Sequence, residues 1–149
     1  MSEPEIRWAR DTADVHGAIA VRERVFVDEQ GVPAEEELDG RDEQALHLVS
    51  VAPDGGGVIA TLRLLFDGDA VKIGRVAVDR PWRRRGIAAR MIELAVEEGR
   101  ARGARRARLS SQVDVVGLYE GAGFAVESDV FVEAGIPHVW MGLELRADA

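Results

Sequence analysis

A short basic turn combines three arginines, a glycine and two apolar residues: Arg83, Arg84, Arg85, Gly86, Ile87 and Ala88. It lies between a β-rich stretch, Val71 to Val78, and an amphipathic stretch that begins at Gly86. A helix N-terminus presents N–H groups without partners and the positive end of the helix dipole, and glycine lets a phosphate approach the backbone closely. The pattern therefore indicates an anion site, with a solvated basic turn as the alternative that these residues alone leave open.

Two common phosphate-binding patterns are absent from this turn. No Gly-Lys-Ser/Thr sequence follows the glycine, and the second and third glycines of the dinucleotide pattern are missing. The residues that remain form an Arg-x-x-Gly-x-Ala turn in front of a helix, so neither a P-loop nor a dinucleotide-binding site is predicted.

The composition is typical of one globular domain covering residues 1–149. The chain has 149 residues, of which 46% are hydrophobic, and no linker or charge block divides it. It has no cysteine, which excludes disulfides, thiolate zinc sites and a cysteine nucleophile. We see no signal peptide or long apolar segment, and we expect a cytoplasmic protein without a membrane partner.

The charge of the chain bears on its partners. A formal net charge of -8 argues against nucleic acid and anionic membranes, because a surface that repels phosphate overall needs a strong local patch to bind it. A second arginine cluster follows the amphipathic stretch: Arg100, Arg102, Arg105, Arg106 and Arg108. We interpret it as helix C-terminal charges that complement the dipole, followed by a solvated strand entrance.

Hydrophobic periodicity and turn residues predict the order of the elements. Strands are expected at Glu5 to Ala9, Leu46 to Val51, Val58 to Leu65, Val71 to Val78, Ala107 to Ser111, Phe124 to Phe131 and His138 to Leu145. Helices are expected from Asp11 or Thr12 to about Glu29, from the basic turn to Gly103, and from Asp114 to Glu120. The acidic segment Ala34 to Glu43 is expected to be irregular.

One connection fixes the topology at the centre of the sheet. The strand before the basic turn, the helix after it and the strand at Leu109 form a right-handed βαβ crossover. The strands that contain Val76 and Leu109 should therefore be parallel neighbours in a largely antiparallel sheet.

Longer strings around the turn resemble a known family. The string Arg75 to Trp82 with its Arg-x-x-Gly-x-Ala turn resembles the acetyl-coenzyme A motif of the GNAT superfamily of N-acetyltransferases, and Leu118 to Phe124 resembles its second coenzyme-side motif. Val25 to Gln30 and Gly135 to His138 resemble the ElaA-like branch. The resemblance implies an α+β fold, in which helices flank a mixed, mostly antiparallel sheet with a central parallel βαβ unit.

The resemblance implies a coenzyme site around the turn. Amides from Arg84 to Ala88 would hold the pyrophosphate, with the arginines adding donors, and the exposed backbone of Val76, Ala77 and Val78 would pair with the pantetheine arm. The family creates this gap with a strand bulge that the sequence does not reveal. Gln112 stands where many relatives place an asparagine near that arm. No metal is expected.

Acyl transfer requires a neutral amine, stabilisation of a developing oxyanion and a proton for the leaving thiolate. A backbone N–H near Val78 could stabilise the oxyanion. The family motif places a tyrosine hydroxyl at the coenzyme sulfur, which makes Tyr119 the candidate acid, the alternative being a core tyrosine. Glu29 and His138 are the candidate bases, and we expect both to face one cleft. A solvated carboxylate and a structural histidine are the alternatives.

The combined interpretation is direct acetyl transfer from acetyl-coenzyme A to a primary amine. The acceptor stays open among small amines, aminosugars, amino acids and protein amines, and a homodimer stays open as the oligomeric state. A non-catalytic coenzyme-binding sensor on the same fold is the alternative function. Asp39 and the acidic run Glu35 to Glu37 could attract a cationic amine, but a solvated loop is the favoured interpretation.

Overall fold

Eight strands and four α-helices are present in residues 3–145, the part of the chain that the computed structural model describes. The strands are β1 (Glu5–Trp8), β2 (Leu46–Val51), β3 (Val58–Asp67), β4 (Ala70–Val78), β5 (Arg106–Gln112), β6 (Ala125–Val126), β7 (Phe131–Glu133) and β8 (Ile136–Glu144). The α-helices are α1 (Thr12–Arg22), α2 (Ala34–Glu37), α3 (Ile87–Ala101) and α4 (Val116–Glu120). The ends of the predicted domain, residues 1–2 and 146–149, lie outside the described range. No helix within that range is long and apolar enough to cross a membrane.

The strands form one mixed sheet in the order β1-β2-β3-β4-β5-β8-β6, with β7 also paired to β8. Every pairing is antiparallel except that of β4 with β5, which α3 connects as a crossover. The predicted α+β class with a central parallel βαβ unit is confirmed. The parallel pairing is short, because it joins only Ala70 to Lys72 with Arg106 to Arg108.

Helices cover both faces of the sheet. On one face, α3 buries Met91, Ile92 and Ala95 in the main hydrophobic cluster, together with side chains of β2 to β5 and β8. On the other face, Val21 of α1 and the following Val25 pack against Ala77 in a smaller cluster. The helices thereby fix β4 from both sides where it leaves β5.

A β-bulge interrupts β4 near its middle. Thr61 pairs with Ala77 and Arg63 with Gly74, so the two residues Arg75 and Val76 lie opposite one residue of β3. The extra residue reverses the alternation of side chains, because each strand residue normally points to the face opposite its neighbour. As a result, Val76 packs against the main cluster, whereas Ala77 joins the smaller one.

The first helix changes type where the sequence predicts one uninterrupted α-helix. Asp11 caps α1 by accepting a hydrogen bond from Asp14 N. After Arg22 the chain continues as a π-helix, Glu23–Glu29, and Gln30 N donates to Val25 O at 3.2 Å. The predicted end near Glu29 is confirmed, but the second half is wider than an α-helix. Widened turns of this kind occur frequently at functional sites.

Two other segments differ from their predictions. The prediction of an irregular Ala34 to Glu43 is wrong, because α2 follows Pro33 and a 3₁₀ turn covers Asp42–Gln44. The prediction of one strand from Phe124 to Phe131 is also wrong. The hydroxyl oxygen of Ser128 accepts a hydrogen bond from Trp140 N at 2.9 Å, so a side chain replaces the backbone ladder between β6 and β7.

The short helix near the C-terminal third also differs in detail. Residues predicted as one helix from Asp114 to Glu120 form a 3₁₀ turn, Val113–Val115, followed by α4. Phe124 N donates to Tyr119 O at 3.1 Å after the helix ends. This compact unit holds Tyr119 at the end of β5.

Candidate active site

The turn between β4 and α3 leaves backbone donors free. Arg84 and Gly86 adopt left-handed conformations, with φ of 64° and 78°. The first helical hydrogen bond of α3 runs from Arg90 N to Gly86 O at 3.1 Å, so the N–H groups of the preceding turn have no acceptor within the helix. A Cβ at Gly86 would meet no atom within 4 Å, which means that the turn is open on that side. This geometry fits a pyrophosphate.

Arg83 is engaged by protein groups on two sides. Its Nε donates to Val78 O at 2.8 Å, and its Nη2 lies 2.9 Å from a carboxylate oxygen of Glu29. Arg80 binds the other oxygen of Glu29 at 3.3 Å. Glu29 therefore ties the π-helix to the basic turn, and Arg83 ties that turn to the end of β4.

The other two arginines of the turn differ from Arg83. Arg85 stacks on the indole of Trp82, with its guanidinium carbon 4.8 Å from the ring centroid. Arg84 lines the cavity described below, and its guanidinium forms no ion pair with a carboxylate between residues 3 and 145. Arg84 is thus the cation of the turn that is best placed to meet an anion in the cavity.

The bulge of β4 is held by a buried carboxylate. Arg75 has a φ of 54°, which is unfavourable for a residue with a side chain. Its Nε donates to Oε2 of Glu37 at 2.8 Å and its Nη2 to Glu37 O at 2.9 Å. Beyond Lys72, the edge of β4 that faces β5 has no strand partner. The anchored Arg75 therefore stabilises the open edge to which the sequence assigns the pantetheine arm.

Glu37 belongs to a network of six charged side chains with no net charge: Arg22, Arg63, Arg75, Glu37, Asp39 and Asp42. Arg22 is 1% exposed and binds Glu37 at 2.7 Å and Asp42 at 2.6 Å. The hydrogen bond from Arg63 holds the pKa of Asp39 well below its usual range. The interpretation of this acidic segment as a solvated loop is wrong for Glu37, which is buried, whereas Asp39 is exposed and pairs with Arg63.

A cavity of about 870 Å³ opens between the splayed ends of β4 and β5. It brings together nine of the predicted site residues: Val76, Ala77, Val78, Arg83, Arg84, Ala88, Gln112, Tyr119 and His138. Glu29, Arg85, Gly86 and Ile87 do not line it. Residues 3–145 contain no group of His, Asp and Glu side chains that could hold a metal ion.

Tyr119 reaches the cavity from α4 and is 6% exposed. Its ring meets Phe124 edge to face, with the centroids 6.3 Å apart. Burial raises the pKa of Tyr119 to about 12, since it disfavours the charged phenolate. The hydroxyl is therefore protonated throughout the neutral range.

His138 lies on β8 opposite Gln112 of β5 and is 8% exposed. Its Nδ1 lies 2.7 Å from Ile136 O. A carbonyl oxygen can only accept, so Nδ1 carries the proton and the neutral ring keeps its lone pair on Nε2. The expectation that Glu29 faces the same cleft is not met, because its carboxylate is drawn to Arg80 and Arg83.

Gln112 lines the cavity and is hydrogen-bonded to a second glutamine that lines it. Its Nε2 donates to Oε1 of Gln30 at 2.9 Å, which joins the end of β5 to the end of the π-helix. Gln30 also lines the cavity but is not among the predicted site residues, although it ends the ElaA-like string Val25 to Gln30. Arg75 is also not among the predicted site residues, although it begins the string Arg75 to Trp82. Nothing in the local sequence indicated that Glu37 is buried.

Comparison with known proteins identifies the family of the chain. The profile of the acetyltransferase (GNAT) domain matches residues 12–145. The chain belongs to this family. It is 34% identical over 137 residues to the uncharacterized N-acetyltransferase YjcF of Bacillus subtilis, covering 89% of this chain and 94% of YjcF. The GNAT resemblance drawn from the motifs is confirmed.

Solved GNAT structures share the fold. An acyl-CoA N-acyltransferase from Pseudomonas aeruginosa is 27% identical, with a TM-score of 0.82 and coverage of 93% of this chain and 98% of that one. ElaA of Escherichia coli is similar in fold at 23% identity, with the same TM-score and the same coverage of both chains. Membership of the family implies acyltransferase activity.

The buried network should be sensitive to the loss of one of its carboxylates. Replacing Glu37 with Gln should lower the free energy of unfolding by about 3 kcal/mol, because removal of one partner leaves Arg22 buried with a reduced counter-charge. Urea denaturation measures this loss. Glu35→Gln is the matched control, since Glu35 lies exposed on the same short helix. Equal stability of the two variants would show that the network does not depend on the Glu37 charge.

Proposed function

We propose that this protein transfers an acetyl group directly from acetyl-coenzyme A to a primary amine. The supporting observation is that the free edge of β4, the open N-terminus of α3, Tyr119 and His138 all border one cavity. A named acyl-CoA N-acyltransferase with the same fold adds support. The acceptor is a small molecule or a protein amine.

The coenzyme would be held by backbone more than by side chains. Amides from Arg84 to Ala88 would bind the pyrophosphate, aided by the dipole of α3 and the side chain of Arg84. The edge of Val76 to Val78 would pair with the pantetheine amides as an added strand would. When bound, acetyl-coenzyme A supplies an activated acetyl thioester. Gln112 and Gln30 would border the arm.

The chain supplies two proton transfers to the reaction. A bond forms between the amine nitrogen and the acetyl carbon while the carbon–sulfur bond breaks. His138 Nε2 would take the proton that the nitrogen loses, and the Tyr119 hydroxyl would give a proton to the leaving sulfur. A backbone N–H near Val78 would stabilise the negative charge on the acetyl oxygen. No covalent acyl-enzyme is required, in keeping with the absence of cysteine.

The second prediction separates the two candidate bases. His138→Gln should reduce kcat/KM about 100-fold near pH 7 and much less at pH 9.5, where more of the amine deprotonates without help. Glu29→Gln should leave the shape of the pH profile unchanged and raise the KM for acetyl-coenzyme A, because Arg83 loses its carboxylate. The measurement is kcat/KM against pH for both variants, with melting temperatures as the check on folding.

The opposite pattern in these profiles would change the assignment. A loss confined to low pH in Glu29→Gln would make Glu29 the base. A loss in His138→Gln that is equal at every pH would reduce His138 to a structural residue that stacks on Phe131.

The proposed activity itself is tested by release of free thiol from acetyl-coenzyme A across a panel of amines. We expect release above the amine-free background with at least one class of primary amine, together with the acetylated product by mass spectrometry. Stabilisation of the protein by coenzyme A without thiol release for any amine would instead identify a coenzyme-binding sensor.

A further inference from the structure

Two cations share one indole ring near the start of β4, away from the basic turn, and one of them, Lys72, lines the cavity. Lys72 of β4 and Arg108 of β5 are directly paired across the two parallel strands. The Lys72 Nζ is 5.4 Å from the ring centroid of Trp140, and the Arg108 guanidinium carbon is 4.8 Å from it. Both charges therefore lie against the same side chain of β8.

This pair lacks the carboxylates that neutralise other cations of the sheet. Among residues 3–145, neither Lys72 nor Arg108 has a carboxylate oxygen within 4.0 Å. Arg106, two residues from Arg108 on β5, is bound by Glu127 at 2.6 Å. The chain carries 27 acidic and 19 basic residues, so carboxylates are abundant. Lys72 and Arg108 are nevertheless adjacent cations that share no carboxylate among the described residues.

Two adjacent positive charges are unfavourable when no anion lies between them. Like charges directly opposite one another on neighbouring strands repel, and contact with an aromatic face offsets only part of this repulsion. Burial lowers the pKa of Lys72, and Arg75 and Arg63 lower it further against the attraction of Glu133. An anion placed between the two cations would remove the repulsion.

The position of the pair relates it to the acceptor. Lys72 lines the cavity, and so does Ser110, the residue of β5 that pairs with Trp140. The bulge begins three residues after Lys72, which corresponds to about 10 Å along the strand at about 3.3 Å per residue. The pair thus lies a short molecule's length from the open edge of β4.

Beside the cavity, an aromatic wall of stacked rings runs from His138, which lines the cavity, through Phe131 to Trp140. Phe131 stacks on His138 with centroids 6.0 Å apart and on Trp140 with centroids 5.8 Å apart. Three aligned rings offer an apolar surface between the candidate base and the paired cations. A ligand that follows this wall would have a polar group at each end and an apolar spacer between them.

We infer that Lys72 and Arg108, against Trp140, bind an anionic group of the acceptor. The substrate is then a primary amine that carries a carboxylate or a phosphate, joined to its nitrogen by an apolar spacer. This inference rests on the proposed acetyl transfer and specifies its substrate class.

Matched acceptors test the inference. Acetylation rates are measured with 6-aminohexanoate, 5-aminopentyl phosphate and hexylamine, which has no anion. We expect the KM of the better anionic acceptor to be about 10-fold below that of hexylamine at similar kcat, and to rise with salt as hexylamine's does not. The ranking of the two anions distinguishes carboxylate from phosphate. Equal KM values for all three acceptors would overturn the inference.

Variants of the two cations test where the anionic group of the acceptor binds. Lys72→Gln and Arg108→Gln should each raise the KM of the preferred anionic acceptor about 10-fold and leave hexylamine unchanged, while Lys72→Arg should restore most of the preference. Arg102→Gln is the control, because Arg102 is an exposed arginine at the end of α3, away from the cavity. Anion preference that persists in both glutamine variants would place the anion elsewhere and overturn the assignment.

A binding measurement keeps the two proposals separate. In the presence of coenzyme A, N-acetyl-6-aminohexanoate should raise the melting temperature more than N-hexylacetamide, and Lys72→Gln should abolish the difference. If no amine is acetylated, the proposed function fails, but this comparison still decides on the anion site. If amines are acetylated and the two amides stabilise the protein equally, only the inference fails.

Discussion

Replacing Tyr119 with Phe is expected to lower kcat by about 10- to 1000-fold while the affinity for coenzyme A changes little. The substitution removes one hydroxyl and keeps the ring that packs against Phe124. Because burial raises the pKa of Tyr119 to about 12, the group holds its proton at neutral pH and is available to the leaving sulfur. Steady-state kinetics with saturating acceptor and a coenzyme titration measure the two quantities.

A stability measurement checks that the hydroxyl is buried as described. The pKa of an unfolded tyrosine is near 10, below the folded value of about 12. The unfolded chain therefore releases its proton first, and this group's contribution to stability, complete below pH 10, is lost as the pH rises toward 12. The Tyr119→Phe variant should therefore lose less stability than the wild type as the pH rises from 10 toward 12. Full activity in the variant would make Tyr119 a packing residue only.

The elements that the sequence predicted best are those fixed by local pattern. The apolar spacing from Ile87, a left-handed glycine at Gly86 and another at Gly103 define α3, and all three features can be read without knowledge of the fold. The order of strand, helix and strand around it then determines the parallel pairing of β4 with β5.

The errors concern segments that depend on distant partners. The break between β6 and β7 is made by the hydroxyl of Ser128 and the backbone of Trp140, which are 12 residues apart. The bulge in β4 places an arginine, not a glycine, at positive φ, and the carboxylate that holds it lies 38 residues earlier. Neither contact leaves a periodic signal in the sequence.

The same distinction between local pattern and distant contacts applies to the candidate site. The motif strings predict the coenzyme turn and Tyr119, because a backbone site at a helix N-terminus depends on local order. They could not decide between Glu29 and His138, since that choice depends on which side chains compete for each group. In the structure, Arg80 and Arg83 hold Glu29 outside the cavity, whereas His138 borders it.

Replacing Gly86 with Val is expected to abolish measurable binding of coenzyme A. Gly86 has a φ of 78°, and a Cβ there would project into the open side of the turn, where the proposed site has the pyrophosphate approach the amides. At a concentration of about 100 times its Kd, coenzyme A should raise the melting temperature of the wild type by roughly 5 to 10 °C. We expect no shift in the variant by thermal denaturation and no heat of binding by calorimetry.

The backbone strain of this substitution needs its own control, because valine is unfavourable at positive φ wherever it occurs. Gly68, with a φ of 62°, lies in the turn between β3 and β4, and a Cβ there would also meet no atom within 4 Å. Gly68→Val should therefore lose a similar amount of stability and yet keep the full coenzyme-induced shift. Loss of the shift in both variants would attribute it to general strain, and retention in both would remove the basic turn from the coenzyme site. Only a loss confined to Gly86→Val is expected if the amides at the start of α3 hold the pyrophosphate.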